Sequence, residues 1–585
     1  MRLSILDCGA VADGVTKSTD AINEAITRVN EAGGGYVIIP PGKYVSGTIV
    51  LKSNVYLWLE PGSIIYGSMD NEELKVPCKS GRICNTQIYG EELYNSGILG
   101  HGIFDLRRQN YHTQPKRNGT PYMLVIKSST NITLRDVELH NPGWFTISCE
   151  NNTNVTFDGI VINSRDCMNG DGIDFGGSKN VTISNCKINA GDDAIGLKTG
   201  PVPCENFTIT NCVISSNWAG IRIGPESSKD MLNITVSNCV FNDCSDGIKI
   251  QNFGGSHFED FTFSNLNMVN VLRPFYFTYN PSHWWRGKTG TFKRVLISNV
   301  IARMDDVGKR PKWFENKVII HGLPDYLIED VTISNMHVLA PGGGKADDGS
   351  SAENEELLNF ARFPDLMFQW EPYPCSCMYI RNAARVRMNN CVFEAAQPDE
   401  RPAIVAQAVN GIRITGAELN GTDGLIRHCK VNDLKVIDSE GTVTEESPEY
   451  QKRWEAFREL SRKTEREFIE NDAIITKLSQ MKPLGTLTVP DGTGNEVELT
   501  FEHPGKEGYI KMERIAASPR VLVNGKEVFC WDRGEYYGHR IPIAVDISEG
   551  LVEGENTIKI ILSGKDNDFE KKSIALYGGP IQNVQ

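Results

Sequence analysis

Four short stretches in the middle of the chain carry acids and bases at matching positions. They are Asp171-Gly-Ile-Asp174-Phe, Asp193-Ala-Ile-Gly196-Leu, Ala219-Gly-Ile-Arg222-Ile and Asp246-Gly-Ile-Lys249-Ile. Each reads as a short strand whose side chains alternate between two faces. If the four are neighbouring rungs of one sheet, equivalent positions stack in columns about 4.8 Å apart. Asp171 and Asp193 then share a column, Arg222 and Lys249 share the next, and Asp192 sits at the same rim pointing elsewhere. Crowded carboxylates raise one another's pKa. Such a set holds both the protonated acid and the ionised base that cleavage of a glycosidic bond requires. Two other readings of the same residues are an exposed Asp- and Gly-rich turn and a calcium site.

A repeat supplies the rungs. Asn131-Ile-Thr-Leu134, Asn154-Val-Thr-Phe157, Asn180-Val-Thr-Ile183, Asn206-Phe-Thr-Ile209 and Asn233-Ile-Thr-Val236 follow one another at steps of 23, 26, 26 and 27 residues. Degraded copies stand at Asp260-Phe-Thr-Phe263, Asp330-Val-Thr-Ile333 and Val386-Arg-Met388. A period in the twenties with short alternating strands predicts a parallel β-helix, whose coils bury a shared core that no single coil can bury alone. The Leu-x-x-Leu-x-Leu phrase of a leucine-rich repeat is absent. The Asn of each phrase is placed to ladder its amide from coil to coil. Cys186, Cys212, Cys239 and Cys391 each follow an Asn. This repetition predicts reduced thiols packed as small hydrophobes, not metal or disulfide spacing.

An open stack of coils needs an end cap. A helix from Ser18, with Ile22, Ile26 and Val29 on one side and Gly33-Gly34-Gly35 at its end, suits that place, and Tyr36-Val-Ile-Ile39 follows as a strand. At Ser447-Pro448 the texture changes to a charged helical pattern through Tyr450, Trp454, Phe457 and Ser461, read as a linking helix lying on the wall of the β-helix. Strands return after Pro483, with an Asn-Gly hairpin in Val521–Val528 and further runs at Ile541–Ile547 and Asn556–Leu562. The expected architecture is all-β. A right-handed parallel β-helix with an N-terminal cap helix spans 1–445, a linking helix 446–482, and a C-terminal β-sandwich of jelly-roll type 483–585.

The 585 residues carry a formal net charge of -14, which argues against non-specific binding to nucleic acid or an anionic membrane. A local basic cleft for an acidic sugar remains compatible with that sign. No run approaches the apolar length of a membrane helix, and the first residues lack a secretory apolar core. With 15 cysteines and no framework spacing, the expected location is cytoplasmic, or secreted if a leader has been removed. The composition leaves the oligomeric state unknown.

Asn169-Gly170-Asp171-Gly172 and Gly191-Asp192-Asp193-Ala194-Ile195-Gly196-Leu197-Lys198 resemble the Asn-Thr-Asp-Gly and Gly-Asp-Asp-x-Ile-x-x-Lys motifs of the polygalacturonase family. Gly9-Ala-Val-Ala-Asp-Gly14 and Pro40-Pro-Gly-Lys-Tyr44 are similar to that family as well, and the likeness runs over roughly residues 1 to 440. It implies single displacement with inversion, with Asp192 as general acid and Asp171 and Asp193 holding and activating the water. It implies no cofactor and no metal. Asn169 and Lys198 are carried over as substrate-site residues. Two departures stand out. The family's Gly-His-Gly is here Trp218-Ala219-Gly220, and its Arg-Ile-Lys is Lys249-Ile-Gln251. Arg222, Lys249, Gln251 and Trp218 are therefore expected at the substrate, with His257, Tyr276, Tyr279, Trp284 and Trp285 as stacking candidates. Tyr279 lies near the family's substrate-contacting Tyr. The insertion from Pro341 to Pro374 is expected to wall one end of the groove. The combined expectation is an inverting hydrolase, exo-acting on short uronic-acid oligosaccharides. A non-catalytic carbohydrate-binding β-helix and a polysaccharide lyase are the alternatives.

Overall fold

The computed structural model describes residues 1–108, 120–224, 227–252, 255–279, 290–304, 316–323, 325–346, 348, 373–446, 474–475, 477–478, 481–487, 496–504, 507–515, 518–530, 541–563 and 574–578. Its greater part is a parallel β-helix. The repeat phrases pair coil on coil in parallel register. Val155 faces Val181, Val181 faces Phe207, Phe207 faces Ile234 and Ile234 faces Phe261. Phe261 then faces Val295, and Val295 faces Val331. All seven side chains are buried in one continuous apolar cluster running from Leu3 to Ile426. Period-two alternation explains the pattern, since every second residue of the phrase points inward.

The corners hold the register. Asn95, Asn131, Asn154, Asn180, Asn206 and Asn233 all adopt left-handed backbone, with φ between 50° and 61°. Asn tolerates this region better than most side chains do. Each side-chain amide donates to the carbonyl oxygen of the Asn one coil before, at 2.9–3.0 Å from Asn131 through Asn233. Further along, charge replaces amide: Arg294 Nε donates to Asp260 at 2.6 Å, and Arg385 Nε donates to Asp330 at 2.7 Å. Arg294-Val-Leu-Ile297 is thus a coil that the phrase does not reveal, because an Arg occupies the Asn position. A second corner carries Asn185, Asn211 and Asn238, also left-handed. The cysteine after each turns inward and is 1% exposed, so Cys186, Cys212 and Cys239 pack as a sulfur column in the core.

The helix Thr19–Glu31 buries Ile22, Ile26 and Val29 in the same cluster as Val37 and Leu57 of the first coils. Near the C-terminus, two four-stranded antiparallel sheets share a core of Val497, Phe501, Ile510, Met512, Val521, Ile558, Ile560 and Leu576 among others. Asn524-Gly525, both at positive φ, turn the hairpin between Ser518–Val523 and Lys526–Cys530. Most of the expected linking helix, including Tyr450, Trp454, Phe457 and Ser461, lies outside the described residues. Of its described end, Ile474, Ile475 and Leu478 pack on Tyr509, Ala544 and Tyr577 of the C-terminal sheets.

Replacing Asn180 tests the corner. Ala there loses both ladder contacts and takes on a left-handed backbone costing about 1–2 kcal/mol. Gly loses the contacts alone. The melting temperature is expected to fall in the order parent, Asn180→Gly, Asn180→Ala. Equal melting of the two variants would show that the left-handed corner costs nothing.

Candidate active site

The aspartate rungs stack as the repeat demands. Ile173 pairs with Ile195, and Ile195 with Ile221, so Asp171 and Asp193 fall at equivalent places two residues earlier. Just before the strand, both turn to the outer side of the sheet and are buried, at 3% and 4% exposed. Asp192 occupies the same rim, where its Oδ2 accepts a hydrogen bond from Asn169 Nδ2 at 3.0 Å. Asp174 joins them as a fourth carboxylate. It lies on the outward face between the inward Ile173 and Phe175, and is 4% exposed. Its register partner on the next coil is Gly196, where a Cβ would stand only 1.8 Å from Asp174 Oδ1. The bare glycine makes the room the carboxylate fills.

Two cations lean back by one coil onto this group. Lys198 Nζ lies 3.2 Å from Asp174 Oδ2 and 3.8 Å from Asp171 Oδ2. Arg222 Nε lies 3.6 Å from Asp193 Oδ2. Asp193 Oδ1 also accepts from the Ala219 amide at 3.3 Å. Burial is the largest influence on three of the acids and pushes each upward. Asp171 rises well above the usual range, with Asp174 adding to the effect. Asp193 is pushed up to about 7, with Arg222 the main opposing influence. Asp192 is raised as well, with Arg222, Lys198 and the Asn169 hydrogen bond opposing burial. The cluster therefore keeps protons to near-neutral pH while presenting ionisable oxygens beside them, which is the pairing general acid–base chemistry needs.

Other expected site residues are placed differently. Lys249 stacks on Arg222 in register, as the columns require. Its side chain is 0% exposed, however, and pairs with Asp246 at 3.5 Å. Its Nζ sits between the rings of Trp218 and Tyr276, 5.3 and 5.2 Å from their centres. Asp246 also takes Arg273, with Nη2 at 2.9 Å. Lys249 is thus held behind the half-exposed Trp218, not presented at the groove surface. Gln251 lies on the same outward face and is fully buried, and neither of its amide atoms has a hydrogen-bond partner among the described residues.

Tyr279 is a correction. Alternation sends Phe275, Phe277 and Tyr279 inward, so its ring packs on Phe292 and Tyr326 in the core and its hydroxyl donates to Gly290. Tyr276 is the aromatic that faces outward on that strand. His257 is exposed and engages Thr291 and Glu259, neither of them a member of the aspartate group. Trp284 and Trp285 lie outside the described residues. The chain-level reading missed Asp174 and the aromatic set Tyr122, Trp144 and Phe145. Phe145 lies 5.1 Å beneath Lys198 Nζ and contacts both other rings. The available signal was Trp144-Phe145 standing just before the strand that precedes the first aspartate rung.

Residues 39–355 match the model of glycosyl hydrolases family 28, and residues 3–72 match a rhamnogalacturonase A/epimerase, pectate lyase-like model. A probable polygalacturonase from Vitis vinifera is 25% identical over 308 residues, covering 47% of this chain and 62% of that protein. The chain therefore spans less than two thirds of that relative. An exopolygalacturonase from Platanus acerifolia is 26% identical, covering 50% of this chain and 80% of the relative. The fold is similar to that of the family 28 exopolygalacturonase of Yersinia enterocolitica. The TM-score is 0.51 at 18% identity, over 72% of this chain and 78% of the other.

The raised carboxylates make a stability prediction with a definite sign. Asp193 has a folded pKa of about 7 against an ordinary 3.8. Its contribution to stability is fully present below about pH 3.8 and is lost as pH rises through about 7. Asp193→Asn removes that loss. The variant should melt above the parent at pH 8 and converge with it near pH 3.5, as read by thermal unfolding at both pH values. A gain of equal size at both would mean that ionisation of Asp193 is not its source.

Proposed function

Since the chain belongs to glycosyl hydrolases family 28, we propose that it hydrolyses glycosidic bonds of acidic, pectic-type oligosaccharides by single displacement with inversion. The observation that carries this reading is the four-carboxylate cluster facing Lys198 and Arg222 in an outward groove of the β-helix. In this reading Asp192, tied to Asn169, gives its proton to the leaving oxygen as the bond from the anomeric carbon breaks. A water held by Asp193 and Asp171 attacks the opposite face of that carbon and gives up its proton to Asp193. Lys198, at the cluster and 20% exposed, is the cation best placed to meet a uronate carboxylate. The aromatic set of Phe145, Trp144 and Tyr122 offers a ring-stacking wall beside it.

Exo action on short chains is the mode we favour. The outward column through the site runs Tyr89, Val125, Ser148, Asp174, with one residue per coil. The hairpin formed by Lys75–Pro77 and Ile83–Glu91 packs Val76, Cys78 and Cys84 over Tyr89 and Val125. That cover ends two coils, or about 10 Å, before Asp174. On the other side, Tyr373 and Cys375 pack over Tyr276, Ile319 and Tyr379. Tyr373 belongs to the Pro341–Pro374 insertion, of which 347 and 349–372 lie outside the described residues. A cleft covered on both sides of the acids suits a chain end better than the middle of a polymer. In this reading the helix Thr19–Glu31 caps the stack, and the C-terminal sheets form an accessory sandwich. The reduced core thiols support a reducing compartment as the working location.

Two outcomes are expected. Asp192→Asn should lower turnover on oligogalacturonides by about 10²–10⁴-fold while leaving folding nearly intact, and near-normal turnover would remove Asp192 from the acid role. On polygalacturonate, monomer or a single dimer should appear from the first minutes with viscosity almost unchanged. An early ladder of intermediate lengths would mean that the groove is open at both ends.

A further inference from the structure

Arg222 occupies a position that a substrate-gripping cation and a catalytic support would use differently, and its contacts separate the two. Its register neighbours are Gly196 on the coil before and Lys249 on the coil after. Gly196 has no side chain and Asp174 fills the room it leaves on one side, while Lys249 and its ring partners fill the other. The guanidinium accordingly lies toward the aspartates, with Nε 3.6 Å from Asp193 Oδ2 and only 14% of the side chain exposed. In the aspartate column the next side chain after Asp193 is the methyl of Ala219, which offers no polar atom. Among the described residues, Asp193 is held by the Ala219 amide and by Arg222.

We propose that Arg222 is a positioning residue of the reaction, fixing Asp193 as the ionised, water-activating base, and not the group that grips the substrate carboxylate. The inference rests on the aspartate assignment given above. The other charged groups around Asp193 are Asp171, Asp192, Asp174 and Lys198. The three acids work against its ionisation and Lys198 works for it, but Arg222 is the stronger of the two cations. Turning Arg222 toward a substrate carboxylate would strand a 4% exposed carboxylate without its counter-charge. Lys198, 20% exposed against 14% for Arg222, is the cation nearer the surface.

The pH dependence of kcat/KM on tri- and tetragalacturonate tests this in the parent, Arg222→Met, Arg222→Gln and Arg222→Lys. Loss of the guanidinium should move the acidic limb up by at least one pH unit and lower kcat at pH 6 by tenfold or more, with KM within about threefold. Arg222→Lys should keep the limb within a few tenths of a unit of the parent. An unmoved limb with a loss confined to KM would overturn the proposal and make Arg222 a substrate ligand. If Arg222→Met does not fold, as judged by circular dichroism, the comparison of Arg222→Gln with Arg222→Lys decides between the same two roles. Full activity of Asp193→Asn would instead bring down the aspartate reading itself, which separates the two failures.

Discussion

Lys198 and Arg222 each reach back across one coil to carboxylates that the β-helix has forced into burial at rung spacing. Four acids so close together and so poorly solvated would not stay ionised without a counter-charge, and a site with every acid protonated has no base. The cations at either side oppose that effect, and for Asp193 burial still prevails and pushes it up to about 7. Burial and Asp174 also raise Asp171 well above the usual range, so the cluster keeps protons where an isolated carboxylate would be fully ionised.

Everything that sets this spacing belongs to the coil. The left-handed Asn corners and their amide ladder keep successive coils in parallel register. A slip of one residue would carry Asp174, Arg222 and Lys249 into the core and bring Ile173 and Ile221 out. Small residues are as necessary as charged ones. Gly196 gives Asp174 its volume, and Ala219 leaves Asp193 to Arg222. Where the Asn ladder gives way to the Asp260–Arg294 and Asp330–Arg385 pairs, the register survives on charge-assisted hydrogen bonds.

Beyond Arg222 the groove floor changes character. Lys249, Asp246, Arg273 and Tyr276 form a cluster of charges and rings with Trp218 as its outer face. Buried pairs of this kind contribute little net stability, since desolvation offsets most of their attraction, but breaking one partner is costly. Their effect on the site is geometric. They hold Trp218 at the rim and keep the Arg222 side from being shared with a second cation at the surface.

Local sequence determined a good deal. The Asn-x-Thr period established the parallel coils, because a period in the twenties with two-residue alternation has few other packed solutions. The alignment of four strands was enough to put Asp171 beside Asp193 and Arg222 beside Lys249, since stacking in register follows from the repeat alone. Tertiary structure decided what those side chains touch. Asp174 stood in the same alignment, but its membership depends on the space left by Gly196 one coil away. Lys249 was in the right column, and only the packing of Trp218, Tyr276 and Asp246 around it withdrew it from the groove. Tyr279 read as a sugar platform until the strand's alternation placed it in the core. A repeat specifies columns because backbone geometry is periodic. Exposure and charge state depend on neighbours from other coils and from inserted loops, and no period in the chain records which of those will arrive.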